Sequence, residues 1–147
     1  MKKVLIILLI VFIILAVSIY TVYSYRVKMI SQQKLNKEYE EYYNIQILGT
    51  ELISIINRTI DINNKNQIGR DENNYYIDNG KDSIEIYIRF IYKSEIKEVK
   101  MEDIEKMTTE TFIKMYSTAS FKCTNIEYHE KTNRVKSLTF EELQEIT

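Results

Sequence analysis

The sequence predicts an α+β protein: an N-terminal transmembrane helix continuing as a long stalk helix, then a four- or five-stranded antiparallel sheet with one further packed helix. Three observations carry this expectation. Residues 4–25 form an uncharged, largely apolar run. Apolar side chains recur at three- and four-residue spacing through 45–60 and again through 101–117, the period of a helix with one buried face. Alternating apolar and polar residues flank turn-forming stretches at 78–82 and 131–133, the period of strands joined in hairpins. The expected division is an anchor at 1–25, a helical stalk at 26–44 and a small α+β domain at 45–147.

The anchor is the strongest signal. Lys2 and Lys3 precede the apolar run, which as a helix covers about 30 Å, enough to cross a hydrocarbon core. Tyr20, Tyr23 and Tyr25 gather at its far end, where amphipathic rings favour the membrane interface, and Arg26 and Lys28 follow. Two readings compete: a cleaved signal peptide, with "AVS" at 16–18 as its small-residue cleavage site, and a buried helix of a soluble protein, which the lack of a polar stripe disfavours. The apolar run continues through "IYTVY" past that point, which favours an anchor. No cysteine adjoins the run, so a lipoprotein is excluded. Arg26, Lys28, Lys34 and Lys37 oppose the two leading lysines under the positive-inside rule. The signal-anchor pattern nevertheless sets the expectation of a cytoplasmic N-terminus and an extracytoplasmic domain.

Residues 26–47 contain no Gly or Pro and many good helix formers, so the helix is expected to continue as a solvated stalk. Ile45, Leu48, Leu52, Ile55, Ile56 and Ile60 then outline an amphipathic helix. Gly49 interrupts it at a cost of roughly 1 kcal/mol relative to Ala, which points to close packing of another element or to a kink. "DINNKNQIG" at 61–69 is expected to end the helix. Residues 73–92 read as a hairpin turning at Asn79-Gly80, with Ile84, Ile86, Ile88 and Phe90 on the core face and Glu85, Tyr87 and Arg89 opposite. "EIKEV" at 95–99 adds a short strand. Met101, Ile104, Met107, Phe112 and Met115 mark a single helix over 101–117, its methionines read as core rather than as a binding groove. Glu102, Asp103 and Glu105 fall in its first turn, where they complement the helix dipole. "FKCTNIEYHE" and "RVKSLTFEEL" flank "KTN" as a second hairpin.

Composition excludes more than it assigns. Twenty basic and 21 acidic side chains with no basic block argue against a nucleic-acid partner, because phosphate binding needs a concentrated positive face. An Ile-, Lys-, Asn- and Tyr-rich chain without Pro or Trp points to a low-GC bacterium. Cys123 and His129, each the single residue of its kind, are the only nucleophile–base pair of letters close in sequence. In a strand six residues span about 20 Å, so they cannot touch. Cys123 is expected inward, and His129 exposed or capping the turn. Glu127 and His129 share a face, but with one Cys and one His a zinc set is not expected. The carboxylate neighbours Glu40/Glu41, Asp71/Glu72, Glu102/Asp103 and Glu141/Glu142 read as solvated. No catalytic, cofactor-binding or metal residues are assigned, and no cofactor is expected.

Two stretches, "ILGTELISIINRTID" at 47–61 and "FKCTNIEYHEKTNRV" at 121–135, resemble segments of uncharacterised short single-span membrane proteins of clostridia and other Firmicutes. The resemblance implies a membrane location and brings no catalytic residues. The overall plan also resembles pilins and pseudopilins in shape, as an apolar helix leading through a stalk to an antiparallel sheet. It departs from that family in lacking a Gly-Phe processing site before the apolar run and a glutamate near its start. The function expected is a single-pass membrane-anchored protein whose domain binds or scaffolds at the cell envelope. Its expected partners are the membrane, through 4–25, and other membrane or envelope proteins; no small-molecule ligand and no enzyme activity are expected. A pilin- or pseudopilin-like subunit of a secretion or surface-filament system is the alternative.

Overall fold

The computed structural model describes residues 2–92 and 95–143 and is α+β. The expected domain's last residues, 144–147, lie outside the described ones. Helix α1 runs Lys2–Glu40, as expected for a segment without Gly or Pro. Contacts divide the chain into one unit through Leu35 and a second from Asn36 onward. In the first unit the apolar side chains from Val4 to Ile30 are exposed, and the most apolar window has a mean hydropathy of 3.1 with none of it buried.

The second unit opens with the last turn of α1. Tyr39 is buried there, and its hydroxyl donates to Thr59 Oγ1 at 2.7 Å, while Thr59 donates to the Ile55 carbonyl at 2.9 Å. Asn36 donates to the Asn133 carbonyl at 2.7 Å and accepts the Val135 N–H at 3.0 Å. The helix stops at Glu40, short of the expected 47. Asn44 then takes a positive φ of 62°, which Asn tolerates, and Gln46–Leu48 becomes strand β1. Ile45 and Leu48 are accordingly half exposed instead of lying on a buried helix face.

Helix α2, Gly49–Lys65, buries Leu52, Ile53, Ile55, Ile56 and Ile60. Gly49 is a close approach and not a kink, since a Cβ there would lie 1.9 Å from the Tyr116 carbonyl oxygen. The helix extends beyond the expected end, which brings Asn63 into the core. Its amide donates to the Ile84 carbonyl at 2.7 Å and accepts the Ile84 N–H at 2.9 Å, so both backbone groups at the entry to the next strand are satisfied.

The first expected hairpin is replaced. Residues 73–84 form no named strand, because Asn79 Oδ1 accepts the N–H groups of Lys81, Asp82 and Ser83. Those local bonds take donors that a strand ladder would need. Strand β2, Glu85–Tyr92, pairs instead with β3, Glu95–Lys100, in antiparallel register from Tyr87↔Lys100 to Tyr92↔Glu95. The alternation of β2 is as expected, with Ile84, Ile86 and Ile88 buried.

The single helix expected over 101–117 is two, α3 at Met101–Met107 and α4 at Thr109–Tyr116. Thr108 breaks it at φ 74° and caps α4 by accepting the Thr111 N–H at 3.4 Å. Met101, Ile104 and Phe112 are core residues, but Met115 is exposed, so the methionine stripe is only partly buried. Strands β4, Ser120–Tyr128, and β5, Val135–Leu143, form the expected antiparallel C-terminal hairpin.

The five strands lie in the order β1-β4-β5-β2-β3. The sheet is mixed, not wholly antiparallel, since β2 and β5 run parallel with Ile86 beside Leu138 and Ile88 beside Phe140. Phe90 and Phe121 from the sheet meet Phe112 and Tyr116 of α4, with ring centroids between 4.8 and 6.5 Å apart. Arg89 ties three strands together by bonding Glu98 at 2.8 Å and Glu141 at 3.0 Å.

Candidate functional site

The two reactive letters of β4 are not brought together. Cys123 is buried opposite Phe140, as expected, and burial pushes its thiol up to about 11, away from nucleophilic reactivity. His129 lies at the turn but is buried and not exposed, with only 3% of its surface accessible. Its Nε2–H donates to the Ser83 carbonyl at 2.7 Å, the carbonyl oxygen being able only to accept. Asp78 stands 3.7 Å from Nδ1, outside hydrogen-bond range, and instead pairs with Lys136 at 3.1 Å. Among the described residues no three His, Cys, Asp or Glu side chains are placed to hold a metal ion.

A different cluster carries unusual chemistry. Glu85 is the first residue of β2, Lys100 the last of β3, and Glu102 the second of α3. Closing the β2–β3 hairpin brings all three to one end of the sheet, with Lys100 directly opposite Tyr87. Glu102 is fully buried although it was expected to be solvated at the start of a helix. One of its oxygens, Oε1, accepts the Tyr76 N–H at 2.8 Å. The other, Oε2, is buried without a donor, and so is Oε1 of Glu85.

The Glu102 carboxyl neighbours Glu85, and Glu85 Oε2 meets Lys100 Nζ at 3.3 Å. Burial, and next the neighbouring Glu102 carboxylate, push Glu85 up to about 8 against a smaller downward pull from Lys100. Glu85 forms part of the wall of a cleft of about 230 Å³, together with Tyr76, Tyr87, Lys100, Lys136 and Ser137. Lys100 is flanked by the Tyr75 ring at 5.4 Å and the Tyr87 ring at 5.6 Å.

The surrounding segment is firmly tied to α3. Tyr75 donates to Asp103 at 2.5 Å, and Asp103 also accepts the Lys100 N–H at 3.1 Å at the helix start. Arg70 bonds Glu105 at 2.7 and 3.2 Å and lies over the Tyr76 ring at 4.0 Å. With Glu102 enclosed and Glu85 at the cleft wall, the arrangement can hold a proton and release it to solvent through Glu85.

Sequence reasoning did not find this cluster. Alternation placed Glu85 on the solvent face, and the helix-dipole argument accounted for Glu102 without burying it. Their meeting depends on the β2–β3 register, which no local pattern encodes. No family model matches the chain, and neither a curated protein nor a solved structure does.

Proposed function

We propose that the chain is a single-pass membrane-anchored protein whose domain, 36–147, acts at the cell envelope by binding or scaffolding other membrane or envelope proteins and not by catalysis. One observation supports the anchor most directly: the apolar side chains of α1 from Val4 to Ile30 are exposed, and none of its most apolar window is buried. A lipid environment is the cover that such a helix suits. The leading lysines favour an N-terminus inside and a domain outside.

Membrane fractionation tests the anchor. The full chain should stay in membranes through an alkaline carbonate wash and leave them only in detergent; recovery as an intact soluble protein would overturn the reading. Ile14→Arg places a charge at the centre of the span at an insertion cost of about 2.5–3.5 kcal/mol and should move the chain toward the soluble fraction. Protease treatment of intact cells should remove a C-terminal tag. A tag that survives until the cells are lysed would reverse the assigned side.

A further inference from the structure

We infer that Glu85 and Glu102 share a single proton, and that this proton is a latch holding α3 and the Tyr75–Tyr76 segment closed against the β2–β3 end of the sheet. The inference goes beyond the proposed envelope role and does not depend on it. Its starting point is the pair of buried oxygens that face no donor, Glu85 Oε1 and Glu102 Oε2. Two ionised carboxylates can only accept, so they cannot bond each other. One proton converts the pair to O–H···O⁻ and satisfies both oxygens at once.

The charges around the pair require the same proton. From β3, Lys100 is the cation that reaches it, at 3.3 Å from Glu85. From α3, Asp103 is engaged by Tyr75 and Lys106 lies 3.8 Å from Asp103. Arg70, beside Tyr76, is bonded to Glu105. Across the cleft, Lys136 of β5 is paired with Asp78, while Glu127 of β4 adds negative charge and bonds Ser137 at 3.3 Å. Tyr87 of β2 is itself pushed up, first by burial, so it supplies no charge near neutrality. Two carboxylates facing one ammonium are neutral with one shared proton and carry a buried negative charge without it.

Opening α3 exposes both carboxyl groups to water, where Glu85 returns to the ordinary glutamate range. Opening in the window between that range and about 8 therefore releases the proton to solvent, with no other bond made or broken. The closed state is favoured at low pH and loses ground as pH rises, by up to about tenfold per pH unit, levelling off above the closed-state value. The Tyr76 N–H reports directly on this latch, because Glu102 is its acceptor.

The test is amide hydrogen exchange on the full-length chain in detergent micelles from pH 5 to 9, corrected for the intrinsic pH dependence of exchange. Protection of Tyr76 and of the α3 amides should fall toward pH 8 and then flatten, while the α2 amides hold. In Glu102→Gln the amide oxygen keeps the Tyr76 bond and the amide N–H gives Glu85 a permanent donor, so protection should become independent of pH. Should that variant fail to fold, Glu85→Gln supplies the same donor from the other side. Infrared spectra of the wild-type chain at pH 7 should show a protonated carboxyl band that either variant removes. Protection that is flat with pH in the wild type, or the lack of that band, would overturn the shared proton. Neither result bears on whether α1 sits in a bilayer.

Discussion

His129 and Glu102 are both polar and both buried, and the difference between them lies in their partners. His129 has a backbone carbonyl 2.7 Å from its donor nitrogen, so its burial is compensated. Glu102 has one satisfied oxygen and one that is buried without a donor. The sign of the resulting linkage follows from the raised value of Glu85. Stability from this pair is fully present below the ordinary glutamate value and is lost as pH rises to about 8, at roughly 1.4 kcal/mol per unit for one proton. Glu85→Gln should therefore remove that loss and raise stability at pH 8 more than at pH 5. Cys123 gives an independent check on the core. Buried opposite Phe140, it should react with a bulky maleimide only after denaturation, and rapid labelling of the native chain would contradict its placement.

Helix α2 shows how single residues decide what an element can pack against. Helix propensity alone makes Gly49→Ala stabilising by about 1 kcal/mol. The Tyr116 carbonyl 1.9 Å from the new Cβ reverses that sign, because backbone must move. Gly49→Ala should cost roughly 1–3 kcal/mol in urea denaturation of the full chain, and a stabilised variant would disprove the close α2–α4 approach. At the other end of α2, Asn63→Ala leaves the Ile84 N–H and C=O without partners, at about 1–3 kcal/mol for each unsatisfied group. Its signature should be local as well, with faster exchange of the Ile84 amide than of the β5 amides. Asn79 and Thr108 act in the opposite sense by ending regular structure, through the Asx bonds of the 79–83 loop and the cap of α4.

Across the whole chain, periodicity was legible wherever one local pattern matched one element. The long apolar helix, the inward Ile84, Ile86 and Ile88, the C-terminal hairpin and the buried Cys123 all follow from spacing within a few residues. Patterns of this kind report which face is buried but not which neighbour covers it. A strand alternates in the same way whether its partner runs parallel or antiparallel, so the β2–β5 pairing could not be read from residues 85–92 and 135–143. The Asn79-Gly80 turn looked like a hairpin because positive φ suits both a hairpin and an Asx loop, and the side-chain bonds that choose between them appear only in the fold. By itself the sequence determined an α+β chain with an apolar N-terminal helix and the positions of most core side chains, because burial follows local hydrophobic period. Only the tertiary structure decided the mixed sheet, the break at Thr108 and the Glu85–Glu102 pair. Each of these depends on contacts between residues distant in the chain, whose energies no local period records.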